Sequence, residues 1–112
     1  MDVKKMFDNL KVAVIASDPD FDIIYLNRRA ERLFKASMNA EHLVGTDMRM
    51  CHKPETNEKL VRLFLEYREK TRNLDYYTTD MPGGTATIVN VPFYENNEFA
   101  GVVEFIFESP LR

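Results

Sequence analysis

The chain has 112 residues, one cysteine, two histidines and no tryptophan. A single thiol, Cys51, excludes an intrachain disulfide and fits a reducing cytoplasm. Catalysis finds no foothold: there is no Ser-His-Asp set, no paired carboxylates in a plausible pocket, and no Gly-rich phosphate loop. The chain therefore reads as a non-enzyme. No apolar run is long enough to span a membrane, and the charged start, Met1-Asp-Val-Lys-Lys5, does not resemble a secretory signal. The net charge of −3 and pI near 5.4 leave no basic footprint for nucleic acid. The acidic bias is too mild to imply a cationic partner. Repeats, low-complexity segments and linkers are absent.

What remains is the material of one soluble domain with one core. Hydrophobic residues make up 45% and charged residues 29%, ordinary values for a globular protein. Eight Phe, five Tyr and six Met point to a core of large, partly adaptable side chains. Such a core suits a ligand pocket and suits dense packing equally.

Val3, Met6, Phe7 and Leu10 fall at helical spacing, so residues 2–10 read as a short amphipathic helix. Its apolar face must be buried. Val12–Ala16 reads as a buried strand and Ile23–Leu26 as a second, joined by a turn at Asp18-Pro-Asp20. Asn27 stands where a helix N-cap accepts an orphan N–H. Ala30, Leu33 and Phe34 form the buried stripe of that helix. Residues 37–53 read as irregular, with Gly45 at a tight turn. Pro54 opens the longest helix, about residues 54–71. Glu55 and Glu58 complement its dipole, and Leu60, Leu63, Phe64 and Tyr67 form its stripe.

Three strands then follow, at Leu74–Thr79, Thr85–Phe93 and Phe99–Phe107. The turns between them are Pro82-Gly-Gly84 and Glu95-Asn-Asn-Glu98. On the last strand Val103, Phe105 and Phe107 are expected to face the core, and Glu104 and Glu108 the solvent. The pattern predicts an α+β domain, residues 12–108, preceded by the amphipathic helix within residues 1–11. Its sheet is five-stranded and antiparallel, with helices on one face.

That element order resembles the PAS sensor superfamily over about residues 10–108. Val14-Ile-Ala-Ser-Asp18 and Asp22-Ile-Ile-Tyr-Leu-Asn27 are similar to the opening hairpin. Arg28–Phe34 resembles the next helix, Leu43-Val-Gly-Thr46 the entry to the middle segment, and Gly101-Val-Val-Glu-Phe105 the closing strand. The resemblance implies a sensory module that takes a small molecule or cofactor between sheet and helices and relays a signal to an effector domain or partner protein. It also implies that the residues 2–10 helix packs on the sheet or in a homodimer.

The family's cofactor types can be compared residue by residue. Flavin-binding light-sensing members place a reactive cysteine where this chain has Met48; a thioether cannot form the flavin adduct, which leaves only unreactive flavin binding. Haem-binding oxygen-sensing kinases place a histidine near Leu60, in a helix that here has none. Haem-binding soluble chemoreceptors have a Phe-His-Lys-Asn-Pro motif. Met50-Cys-His-Lys-Pro54 is similar but one residue shorter. Their closing-strand Trp, which stabilises bound gas, is replaced by Phe105, which cannot donate a hydrogen bond. Small bacterial and archaeal PAS domains carry a Cys-His-Pro-Pro-type motif, matched by Cys51-His-Lys-Pro54 with Lys53 in place of the first Pro.

The resemblance thus implies a pocket lined by Phe34, Leu60, Phe64, Ile88, Val103 and Phe105, with His52 at its rim. His52 is the candidate metal ligand if the cofactor is haem; otherwise it bonds the turn before Pro54. Met48 and Met50 read as filler rather than axial ligands, and Arg49 as a surface residue or an anion partner. His42 reads as exposed. Cys51 is either a buried thiol or a redox sensor activated by its cationic neighbours. A pocket-free interaction domain built from the same residues is the further alternative.

Overall fold

The computed structural model describes residues 1–38, 43–81 and 84–108, with the side chains of all of these but residues 36–38 and 51. His42, Pro82, Gly83 and the side chain of Cys51 lie outside what is described. The chain forms α1 (Val3–Asp8), β1 (Ala13–Ser17), β2 (Ile23–Leu26) and α2 (Arg28–Met38). A short 3-10 helix, Met48–Cys51, leads to α3 (Pro54–Arg68). Then come β3 (Asp75–Met81), β4 (Gly84–Glu95) and β5 (Glu98–Phe107). All strand pairs are antiparallel, in the order β2-β1-β5-β4-β3, so β5 is the central strand.

The turns follow from local chemistry. Asp18 Oδ1 accepts from the amides of Asp20 at 2.9 Å and Asp22 at 3.0 Å, which closes the β1–β2 turn. Asn96 and Asn97 both take positive φ, at 51° and 66°, the geometry that matches a two-residue hairpin to strand twist. α3 stops at Arg68, short of the expected residue 71. Lys70 turns to φ 61° and its amide bonds the Tyr67 carbonyl, a left-handed helix ending without glycine. Gly101 lies at φ 152°, where a Cβ would meet the Ser17 carbonyl at 2.1 Å and the Phe93 ring at 2.6 Å. Only glycine lets β5 lie this close to its neighbours.

Asn27 joins the first three elements. Its side chain is 0% exposed. Oδ1 accepts from the Val14 amide and the Ala30 amide, each at 2.9 Å. Nδ2 donates to the carbonyls of Phe7 at 2.8 Å and Val12 at 2.9 Å. The N-cap expected of Asn27 is therefore present, and the same side chain also ties α1 and β1 together. Phe7 of α1 meets Tyr25 edge-on, at 6.4 Å between ring centroids. The rest of the apolar face of α1 is uncovered: Val3 is 66% exposed, Met6 45% and Leu10 37%.

Cross-strand pairs show which residues share a face. Glu104 pairs with Ile15 of β1 and Asn90 of β4, Ile106 pairs with Ile88, and Ile88 with Tyr77. These residues face α2 and α3. Val103 pairs with Ala16 and Val91, and Phe105 with Val14 and Val89; they form the opposite face. The alternation along β5 is as expected, but its sides are exchanged. Val103, Phe105 and Phe107 point away from the helices, while Glu104 and Glu108 point toward them. Glu108 accordingly pairs with Arg29 of α2. The reason is the position of β5: a central strand carries apolar residues on both faces, so apolarity alone does not mark the side under the helices.

Truncating Asn27 tests the knot. Asn27→Ala strands the buried amides of Val14 and Ala30 and removes a donor from the part-buried carbonyls of Phe7 and Val12, and the expected loss is about 3 kcal/mol, read from the urea midpoint. Asn27→Asp is also destabilising, because it sets a carboxylate oxygen against the Phe7 and Val12 carbonyls.

Candidate functional site

α3 is fastened to the sheet along one side. Phe64 stacks on Phe21 with centroids 4.3 Å apart and meets Phe99 edge-on at 5.6 Å. Tyr67 is wholly buried; its hydroxyl donates to the Asn90 carbonyl at 3.1 Å, and its own carbonyl accepts from Tyr94 Oη at 2.7 Å. Burial holds the Tyr67 hydroxyl far above the usual phenol range.

The adjoining side of α3 stands off the sheet. Thr56, Lys59, Leu60 and Leu63, one helical face, border a cavity of about 600 Å³ whose floor is Tyr77, Asn90 and Glu104. A second hollow of about 360 Å³ shares Met48, His52, Thr56, Tyr77 and Glu104 with the first. It adds an apolar wall of Ile15, Ile23, Phe34, Ile88 and Ile106. The two hollows meet where His52 and Glu104 face them both.

His52 follows the 3-10 helix, which is positioned at both ends. Asp47 accepts from the Arg49 amide at 2.9 Å. Asn57 of α3 donates to the Arg49 carbonyl at 2.9 Å. His52 Nδ1 lies 2.8 Å from the Met48 carbonyl oxygen. A carbonyl only accepts, so Nδ1 carries a proton and, in the neutral ring, Nε2 keeps its lone pair. The Arg49 guanidinium is taken up by the Asp47 carboxylate, with contacts of 2.6 to 3.1 Å, and lies 4.4 Å over the Phe21 ring.

Glu104 is the residue that sequence reasoning missed. Its carboxyl has no hydrogen bond or ion pair among the described residues. It is partly accessible from the cavity, yet the surrounding protein raises it from 4.5 to about 7 through loss of hydration alone. Tyr77 beside it is pushed up to about 12, first by burial and then by the charge of Glu104. Asn90, its cross-strand partner, is 5% exposed, and its side-chain amide likewise has no partner among the described residues. A signal was present in the sequence: the next residues on Glu104's own face, Val102 and Ile106, are both apolar.

The expected site residues divide accordingly. His52, Leu60, Ile88 and Phe34 line the cavity. Phe64 is core, under the rings of Phe21 and Phe99, and does not reach it. Val103 and Phe105 are on the far face of the sheet. Met48 is buried and lines both hollows, whereas Met50 is 84% exposed. Among the described residues, no group of three or more His, Cys, Asp and Glu is placed to hold a metal ion, and no helix is long and apolar enough to cross a membrane.

A sheet in this strand order, with helices over one face and an open cavity between α3 and the sheet, defines the class. A family model described as PAS domain matches residues 3–108, and the chain belongs to that family. The match takes in α1 as well as the domain that follows. Among solved structures, the PAS domain of BvgS from Bordetella pertussis is similar at 13% identity. It covers 97% of this chain and 85% of its own, with a TM-score of 0.69. A PAS domain from Colwellia psychrerythraea is 21% identical over 91% of this chain and 89% of its own, TM-score 0.66. A sensory box sensor histidine kinase structure from Vibrio cholerae is 12% identical over 98% and 90%, TM-score 0.67. No curated protein matches the chain.

The raised carboxyl of Glu104 makes a prediction of definite sign. It binds its proton more tightly folded than unfolded, so its ionisation works against the fold. Stability is expected to fall as pH rises from about 4.5 to about 7 and to level off above. Glu104→Gln removes this cost. The variant should exceed the parent by on the order of 2 kcal/mol at pH 8, allowing for water reaching the carboxyl. The two should converge by pH 5, as urea unfolding at each pH will read.

Proposed function

We propose that this chain is a PAS sensory module that admits a small organic molecule between α3 and the sheet and relays occupancy to an effector domain or partner protein. The carrying observation is the cavity itself. Its volume of about 600 Å³ is that of a small-molecule site; polar and charged side chains surround Met48, Leu60 and Leu63 there, and the adjoining hollow supplies the apolar wall. The similar structure from Vibrio cholerae is named as a sensor histidine kinase, which supports a sensory role. Occupancy would act directly on β5, the central strand, through Glu104. The uncovered face of α1 supports a homodimer in which Val3, Met6 and Leu10 are buried.

Haem is the second reading, favoured by one observation: the Nδ1 contact of His52 to the Met48 carbonyl leaves Nε2 as a donor to iron. The opposing wall fits haem less well. Phe105, at the expected gas-side position, is on the other face, and a carboxyl and an amide, Glu104 and Asn90, stand at the cavity floor. A polar organic ligand suits that donor set better.

Ligand-observed NMR with a small-molecule library, on the parent and on Leu60→Trp, tests the reading. Molecules that bind the parent should lose at least tenfold in affinity when the added ring fills the cavity, with circular dichroism unchanged. Equal binding to both, or no binding to either, would sink the pocket reading and leave a filled interaction core. A stoichiometric Soret band after haem supplementation, lost in His52→Ala, would make the ligand haem instead.

A further inference from the structure

Glu104 and Asn90 are adjacent across β5 and β4 on the helix side of the sheet. Both open onto the cavity, and neither side chain has a partner among the described residues. An acid and an amide withdrawn from water are costly unless donors complete them. Cations near the cavity are otherwise placed. Arg72, in the link to β3, is held by Glu66 at 2.6 Å and lies 3.6 Å from Asp75. Lys59 and Arg62 of α3 also line the cavity; both are exposed, and no ion pair joins either to Glu104. His52 holds the Met48 carbonyl. Tyr77, the remaining polar group of the floor, is neutral. The acid at the junction of the hollows therefore lacks a counter-charge from the fold; Ile15, Leu63, Ile88 and Ile106 supply hydrocarbon walls, and the other lining acids are Glu66 and Asp75, both with Arg72, and Asp80 of the smaller hollow.

We propose that the cavity takes an organic ammonium: a primary amine whose NH₃⁺ donates to the Glu104 carboxylate and Asn90 Oδ1 while its apolar body lies against Leu60, Leu63 and Ile88. The proposal rests on the reading of the cavity as a ligand site and names the chemistry of that ligand. Three N–H donors match the free acceptors of one carboxylate and one amide oxygen. An anion in the same place would set like charge against Glu104. Because a proton and an ammonium compete for one carboxylate, binding weakens as Glu104 becomes protonated.

Isothermal titration of the chain with 2-phenylethylammonium, 2-phenylethanol and phenylacetate separates the possibilities, since the probes share a body and differ in charge. At pH 8 the ammonium should bind at least tenfold more tightly than the alcohol, and phenylacetate most weakly. Glu104→Gln should abolish the ammonium's advantage and leave the alcohol's affinity in place. From pH 8 to pH 5.5 the ammonium's affinity should fall at least tenfold in the parent and in His52→Gln, and stay level in Glu104→Gln. Equal affinities for the three probes, or a preference for phenylacetate, overturn the ammonium and leave the cavity a ligand site. Absence of binding by all three at millimolar concentration also overturns it, and the library comparison with Leu60→Trp then decides separately whether the cavity binds anything.

Discussion

The fold depends first on the side chain of Asn27. One amide, fully withdrawn from water, satisfies two N–H groups and two carbonyls drawn from α1, the β1 entry and the first turn of α2. Hydrogen bonds of this kind are individually modest, but each partner left unmade in a dry interior is expensive. The network therefore constrains more than it binds. It sets the point at which the chain leaves β2 and the direction in which α2 starts across the sheet. Phe34, one wall of the smaller hollow, is carried by α2 and takes its place from that start.

The second constraint is the way α3 is held. Phe64 and Tyr67 are fixed by ring contacts and by the hydroxyl bond to Asn90, so that side of the helix cannot settle further. The 3-10 helix, tied to α3 through Asn57, holds its N-terminal end. Between these supports the helix spans the sheet without filling the space beneath, and the cavity is the remainder. Into it the central strand projects an acid where its neighbours on the same face are valine and isoleucine. A group that costs the fold stability at neutral pH is best understood by what it does when the cavity is occupied.

Much of this was legible in the residues. Ile23–Leu26 is β2 as read, Asn27 is the cap, and Leu63, Phe64 and Tyr67 are the buried stripe of α3. Hydrophobic periodicity reports these because it registers which residues share a face. It does not report which face of a central strand lies under helices. For that reason Val103 and Phe105 were assigned to the pocket and Glu104 to solvent, when the reverse holds. Phe64 illustrates the same limit in a helix: its period marks it as buried, but only the rings of Phe21 and Phe99, distant in sequence, decide that it meets core rather than cavity. The end of α3 at Arg68 was hidden because Lys70, which makes the left-handed turn after it, is not a residue type that announces one. Family resemblance supplied the expectation of a pocket and the candidacy of His52, and could not supply the polar floor of Glu104 and Asn90.

The account turns on an unpaired acid facing the cavity under α3 from the central strand. A ¹³C NMR titration of the Glu104 carboxyl in the ligand-free chain measures that directly. The structure predicts a midpoint near 7. A midpoint in the ordinary carboxylate range, near 4.5, would show a solvated or partnered acid and would contradict the description of the site.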